Sequence, residues 1–371
     1  MKNFRLLFLI FILSSFCYAQ RTTLTVTNGS GDAQIRGRRI TDVWADPNPS
    51  GMVFDRWTGD TSLIQNPFEY HTKVNNLSLN VNLTAVYKSA PVWTPTFETI
   101  NGSLVGYRFP ADSVGVIFHF HGAGGSATQL FNASEQRVFA DEAVAENYAV
   151  VALSSVDRVN RQWNPNPQIE NNPDMQNVRA AINLFVARGW ISASTPIFAN
   201  GISNGGGFAP RVSRALNFRA TSIFIAAGPV NVMTQTLVPT IWNVMRNDSV
   251  VGADGIAQAT ANYQNLLARG ISARYNTLAA SPVFPERFRR ISGLTATDSR
   301  TIYNALKGNN FLDARDFLIN NPFTSNWENV IPAQYNSSLD EIDAQLKICY
   351  AEHTFYSDYD RRVLDFFNAH R

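Results

Sequence analysis

One serine in this sequence has neighbours suited to an attack on a carbonyl. Gly201-Ile202-Ser203-Asn204-Gly205 reads Gly-x-Ser-x-Gly. It lies between the apolar run 195–200, which predicts a strand, and residues 207–216, which predict a helix. A tight strand-to-helix turn lifts a serine hydroxyl into the open, above a helix N-terminus that favours developing negative charge. Gly201 and Gly205 remove side chains that would collide across the turn. Alone, the pentapeptide also fits a plain glycine-rich turn, so the reading depends on finding a base and an acid.

Such a turn resembles that of the α/β-hydrolases, which implies that the acid and then the base follow the serine along the chain. Of the five histidines, His71, His119, His121, His353 and His370, only the last two follow Ser203. His370 is the penultimate residue, at the end of a predicted helix, where fraying is expected. His353 comes directly after the apolar run 346–351, which reads as a buried strand. Loops at the carboxyl ends of strands are where a parallel sheet presents its chemistry, so His353 is the expected general base. The acid should leave a strand between serine and histidine. Residues 240–245 form that strand, and Asp248 follows it. Its rival Asp254 reads as the N-cap of a helix starting at Gly255. A buried carboxylate behind His353 would fix its tautomer and stabilise the imidazolium.

Backbone donors for an oxyanion should come from the turn after an early strand, and His121-Gly122-Ala123-Gly124-Gly125 closes the run 114–120. The Ala123 amide, with Gly124 as the alternative, and the Asn204 amide are the expected pair. Each such donor is worth roughly 10²–10³ in rate. A phosphate loop does not fit, because no Gly-Lys-Ser/Thr ending follows and no acidic residue marks a ribose. As metal ligands, His119 and His121 would share a strand face, but no third ligand is evident, so neither metal nor cofactor is expected. Gly124, Trp163, Phe208 and Trp242, with Trp327, are the residues expected to meet substrate.

The elements that must position these groups follow from the apolar pattern. Dense runs at 114–120, 148–153, 196–200, 222–227, 240–244 and 346–351 alternate with helical stretches at 135–146, 174–188, 255–269 and 361–369. Such runs are buried on both faces, which predicts an α/β fold class with a mostly parallel sheet covered on two sides. Asp248 and His353 are 353 − 248 = 105 positions apart. A helix and a strand fill only part of that gap. The excess, 281–340, reads as an inserted lid with helical patches at 299–307 and 312–319, because long insertions are often functional. Pro210 lies just after the serine turn and should disturb that helix.

Residues 20–89 have a different texture. Period-two alternation at 22–27 and 77–87, with Gly, Asn and Pro between, predicts a small antiparallel sheet. Trp44, Trp57 and Tyr70 either stack on sugar rings or, as is commoner, fill the core. The Pro-bearing stretch 89–95 reads as a linker to the catalytic part, 90–371. Ahead of the module, Lys2 and Arg5 precede the apolar run 6–16 and a small residue at Ala19. This reads as a secretory leader, 1–19, too short to span a bilayer, which takes about 20 residues. Phe16 disfavours a lipid anchor at Cys17. The formal charge is +2, and it is near zero without Lys2 and Arg5, so no nucleic-acid partner is expected. Without the leader only Cys349 remains, in an apolar run that suits a core thiol.

Taken together, His121 to Gly125 and Gly201 to Gly206 give residues 91–371 a resemblance to the α/β-hydrolase superfamily. Within it the chain is most similar to secreted bacterial serine esterases: feruloyl and acetyl-xylan esterases, polyhydroxyalkanoate depolymerases and dienelactone-hydrolase-like proteins. The resemblance implies an ester-cleaving triad of Ser203, Asp248 and His353, and an acylated polysaccharide or polyester as substrate. A serine peptidase, or a surface-binding protein with an inactive hydrolase domain, are the alternatives. The module, through Phe54-x-x-Trp57-x-Gly59-Asp60, resembles an internalin B-repeat-type β-repeat, which implies a spacer or a polysaccharide contact.

Overall fold

The computed structural model describes residues 23–31, 41–75 and 80–371, so the leader expected at 1–19 lies outside the described residues. The first described strands are β1 (Leu24–Thr27), β2 (Gly29–Gly31), β3 (Thr41–Ala45), β4 (Met52–Gly59), β5 (His71–Val74) and β6 (Val81–Ser89). They form two three-stranded sheets ordered β1-β6-β4 and β2-β3-β5. Pairing is antiparallel except between β1 and β6. β1 turns at Asn28 (φ 55°) into the other sheet instead of closing a hairpin, and so meets the distant β6 in the parallel sense. Trp44, Trp57 and Tyr70 are all buried and do not form a surface platform. Within the Phe-x-x-Trp-x-Gly-Asp stretch, a Cβ at Gly59 (φ 96°) would stand 2.2 Å from the Asn82 carbonyl oxygen. Asp60 in turn accepts from the Asn82 N–H at 2.8 Å. The stretch therefore locks β4 to β6.

The remaining strands are β7 (Thr96–Ile100), β8 (Ser103–Arg108), β9 (Gly115–Phe120), β10 (Tyr148–Leu153), β11 (Ile197–Ile202), β12 (Ala220–Phe224), β13 (Thr240–Met245) and β14 (Ala273–Leu278). They make one sheet ordered β14-β13-β12-β11-β9-β10-β8-β7, parallel from β14 to β10 and antiparallel beyond. The helices are α1 (Gln129–Asn132), α2 (Ser134–Ala145), α3 (Pro173–Ala187), α4 (Asn204–Ala215), α5 (Val230–Met233), α6 (Gly252–Ala268), α7 (Ala296–Gly308), α8 (Leu339–Tyr350) and α9 (Asp360–Asn368). Alternation along β9 shows why its run is almost entirely apolar, with His119 as the exception. Ile117 packs with Phe139 of α2 and Phe366 and Phe367 of α9, while Val116, Phe118 and Phe120 pack with Val178 of α3 and Phe208 and Val212 of α4. Both faces are covered, as a parallel sheet requires. This is the expected fold class.

Two expectations fail and two elements went unread. Residues 346–351 are not a strand but the last turns of α8, whose Ile342, Leu346 and Cys349 pack with Ile302 and Leu306 of α7. A short apolar run fits a buried strand or a buried helix equally well, and the longer Leu339-Ile342-Leu346-Cys349 spacing decides it. Residues 312–319 are not helical, because Asp313 accepts from the N–H groups of Arg315 and Phe317 and bends the chain so that Leu312 bridges Leu318. The hairpin β7–β8, turned at Asn101-Gly102, and the edge strand β14 were missed. Residues 281–350 form their own core around Val283, Phe288, Ile302, Leu306, Trp327 and Leu346, so Trp327 is part of that core.

A buried ionic cluster joins the module, this insertion and the sheet domain. Trp44 Nε1 donates to Asp358 Oδ1 at 3.2 Å. Arg287 and Arg290 bind the Asp358 carboxylate at 3.0 and 3.1 Å, and Arg290 also binds Glu135 of α2 at 2.9 Å. Both guanidiniums stack over Trp44, 4.9 and 5.2 Å from the ring centroid. Burial acts to raise the pKa of Asp358, but the two arginines outweigh it and hold the carboxyl well below the ordinary range. Removing one partner from such a cluster leaves an uncompensated buried charge and costs about 3–5 kcal/mol. Arg290→Met should therefore lower unfolding free energy in urea by about that amount, whereas Arg300→Met, at a side chain 67% exposed, should change it by about 0.5 kcal/mol or less. Equal losses would show that the cluster does not hold the parts together. Removing residues 20–89 takes Trp44 away and should lower the Tm of the remainder.

Candidate active site

The serine stands where β11 meets α4. Ser203 has φ 51° and ψ −113°, a left-handed conformation that side-chain-bearing residues rarely adopt, and the strain is held by its N–H donating to the Phe224 carbonyl at 2.9 Å. The flanking glycines are sterically required. A Cβ on Gly201 would lie 2.2 Å from the Gly205 carbonyl oxygen, and one on Gly205 would lie 2.2 Å from the Phe120 carbonyl oxygen. Gly205 thus lets the start of α4 press against the end of β9. Pro210 lies inside α4, which continues through it to Ala215.

The structure brings the three side chains together. His353 Nε2 is 3.0 Å from Ser203 Oγ, and His353 Nδ1 is 2.9 Å from each carboxylate oxygen of Asp248. This fits the tautomer whose Nδ1–H donates to Asp248, leaving Nε2 to accept from the serine. The Asp248 side chain is 1% exposed and that of His353 17%. Asp248 Oδ1 also accepts from the N–H groups of Val250 and Val251, at 3.1 and 2.8 Å. Asp254 is not a cap, because α6 already begins at Gly252 and the Asp254 side chain is exposed on its first turn. The expected route to His353 needs correction too. It follows α8 through Ala351, which is left-handed at φ 62°, and not a strand.

The turn before the cavity is closed by the Gly125 N–H donating to the Gly122 carbonyl at 3.1 Å, with Gly124 at φ 78° in the third position. Ala123 lines the cavity. The alternative donor is engaged elsewhere, since the Gly124 N–H donates to the Asn160 carbonyl at 3.3 Å. Asn204 is the first residue of α4, so its N–H has no intrahelical acceptor. Trp163 fastens the two sides of this region. Its backbone N–H donates to Asn204 Oδ1 and its Nε1 to the His121 carbonyl, both at 2.8 Å.

The cavity in front of Ser203 and His353 has a volume of about 490 Å³. Its lining includes Gln129, Ala133 and Gln136, the apolar Ile202, Ile225 and Phe355, and Asp340, Glu341 and Ala344 of α8. Trp163, Phe208 and Trp242 do not line it. Trp163 and Phe208 stack on each other in the core at 4.6 Å, and Trp242 is buried with Ile223 and Leu266 under α6. These rings shape the elements around the site instead of contacting what enters it. The α8 wall was missed because the sequence reading placed a strand where that helix ends.

His119 and His121 do not share a face. His119 packs beside Phe139 and Phe355, whereas the strand ends before His121, whose ring lies tilted against Trp163 at 4.7 Å. Their ring nitrogens are engaged. His119 binds Gln136 Oε1 and Asn200 Nδ2, and His121 binds the Gly122 carbonyl and accepts from the Ser155 N–H. Burial lowers the His119 pKa to about 3 and that of His121 to about 4. Cys349, in the core of the insertion, is pushed up to about 11 by burial. Among the described residues no helix is long and apolar enough to cross a membrane.

A serine on a strained strand-to-helix turn over a mostly parallel, doubly covered sheet, with Asp248 and His353 after it in the chain, matches the α/β-hydrolase type of fold expected from the sequence. No protein-family model matches the chain, and no curated protein matches it. Among solved structures it is similar to the Pyrococcus furiosus esterase Pf2001, at 11% identity and TM-score 0.39 over 51% of this chain and 87% of that one. A ferulic acid esterase is similar at 11% identity and TM-score 0.39, covering 50% of this chain and 88% of that one. A Pyrococcus horikoshii acylaminoacyl peptidase is similar at 10% identity and TM-score 0.39, covering 66% of this chain but 43% of that one.

The two buried imidazoles give a pH prediction. Their folded pKa values lie below the ordinary 6.5, so the stability they contribute is complete above pH 6.5 and is lost as pH falls through about 4 and then about 3. Thermal unfolding followed between pH 7 and 4 should show a falling Tm, and His121→Gln should flatten the fall. A parallel fall in the variant would show that His121 titrates alike in the folded and unfolded states.

Proposed function

We propose that this chain is a serine hydrolase that cleaves carboxylic esters through an acyl-enzyme. The observation that carries this reading is the relay from Ser203 Oγ to His353 Nε2 at 3.0 Å, and from His353 Nδ1 to Asp248 at 2.9 Å, beside an open cavity. In this mechanism Ser203 attacks the ester carbonyl while His353 takes its proton. Asp248 holds the ring in the required tautomer and stabilises the imidazolium. The amides of Ala123 and Asn204 receive the oxyanion. His353 then protonates the leaving alcohol and afterwards activates the water that releases the acid.

The cavity favours particular esters. Its wall carries the carboxylates of Asp340 and Glu341, and no lysine or arginine lines it. It therefore suits a neutral or cationic acyl group and repels an anionic one. A volume of about 490 Å³ admits a compact or aromatic acid. With a leader that directs export, this fits an acylated polysaccharide or a polyester outside the cell.

Ser203→Ala should leave the fold intact and cut turnover of a p-nitrophenyl ester by roughly 10⁶-fold, with Asp248→Asn costing about 10⁴-fold. Activity that survives in Ser203→Ala would end this reading. Assaying short p-nitrophenyl acyls, methyl ferulate, acetylated xylan, polyester film and a peptide amide on one preparation ranks the substrate classes, with faster amide turnover pointing to a peptidase. Asp340→Asn should raise kcat/KM for a hemisuccinate ester by about fivefold and leave that for the butyrate unchanged.

A further inference from the structure

We propose that Glu352 is a positioning residue for the proposed triad, and that Asn321 of the insertion sets its alignment. The inference rests on the reading of Ser203, Asp248 and His353 given above.

Glu352 is fully buried, and it is not among the residues lining the cavity. Its Oε1 accepts two backbone N–H groups: Ser249, immediately after Asp248, at 2.7 Å, and His353 itself at 2.8 Å. Its Oε2 accepts from Asn321 Nδ2 at 2.5 Å. One carboxylate thus joins the acid loop, the base loop and the insertion. The three partners are neutral N–H groups, so these hydrogen bonds must offset the cost of burying the charge. Two further bonds tie the same segments, from the Asn247 N–H to the Ala351 carbonyl at 2.9 Å and from Asn247 Nδ2 to the Tyr350 carbonyl at 2.7 Å.

The geometry couples the two ends of the relay. Because a single oxygen holds the amides beside Asp248 and of His353, movement of that oxygen shifts acid and base together. A misplacement of about 1 Å at such a site costs on the order of 10²-fold in rate. Asn321 fixes where the carboxylate sits. Its own Oδ1 accepts from the Phe323 N–H at 2.8 Å, so its NH₂ group is the part that faces Glu352. The seating of 281–350 over the domain is thereby transmitted to the imidazole.

This polarity can be inverted. In Glu352→Gln the new oxygen can serve the two backbone donors, but its NH₂ then confronts the Asn321 NH₂. In Asn321→Asp two carboxylates face each other. In the double variant the NH₂ introduced at position 352 donates to the carboxylate introduced at position 321, whose other oxygen still accepts from Phe323. With p-nitrophenyl butyrate each single variant should lose roughly tenfold in kcat with KM nearly unchanged, and the double variant should recover to within about threefold of the parent. Losses that multiply in the double variant, or single variants with the parent's kcat, would overturn the inference. A fall in Tm with unchanged kcat would assign Glu352 a structural role only. If Asn321→Asp does not fold, Asn321→Ala replaces it. It leaves Oε2 unpaired and should lower kcat severalfold at constant KM, and an unchanged kcat would overturn the inference. A fluorophosphonate probe separates the two levels. A parent protein that fails to react removes the triad reading itself. A parent that reacts, with an inert Ser203→Ala and no coupling between 352 and 321, removes only the role of Glu352.

Discussion

The loop 351–359 pairs with no strand, so buried carboxylates at its two ends hold it in place, and the site depends on them. Glu352 fastens its start to the segment after Asp248, and Asp358 fastens its end to Arg287 and Arg290. Between them Phe355 packs against Phe224 and His119. Without these contacts the imidazole would sit on an exposed loop, free to sample positions far from the serine. With them it is held 3.0 Å from Ser203 Oγ, its mobility limited from both sides.

Ser203 is fixed by a different device. Strand, turn and helix are pressed together until only glycine fits at 201 and 205, and Ser203 takes up the remaining strain in its backbone. The sheet supports this directly, through the Ser203 N–H on the Phe224 carbonyl. The turn 121–125 is held in a third way, by the Trp163 indole and amide bridging His121 and Asn204. Sheet, turn and loop each contribute one part of the relay, and the cavity opens where they meet.

Much of this was legible in the sequence, for physical reasons that differ from residue to residue. The runs at β9, β10, β11 and β13 stood out because strands covered on two faces are mostly apolar, and the few polar side chains they carry, such as His119 and Asn200, are paired. Ser203, Asp248 and His353, which the structure brings within hydrogen-bonding distance, were chosen from local patterns and chain order. What stayed hidden depends on long-range packing. β14 reads Ala-Arg-Tyr-Asn-Thr-Leu, an edge strand half open to solvent that lacks a dense apolar signature. Residues 346–351 read as a strand because a window of six residues does not separate the two periodicities. Glu352, a single charged residue beside the candidate base, carries no motif, and its importance comes from partners 31 and 103 positions away. The rings of Trp163, Phe208 and Trp242 looked available for substrate, but α3, α4 and α6 cover them.

The hydrogen bond between Trp44 and Asp358 spans 314 positions of the chain. A ribosome delivers the tryptophan long before the aspartate, so the small sheets at the front cannot complete their packing until nearly the last helix has been made. Contacts of such sequence separation close slowly, so the junction around Asp358 is expected to be among the last parts of the molecule to form.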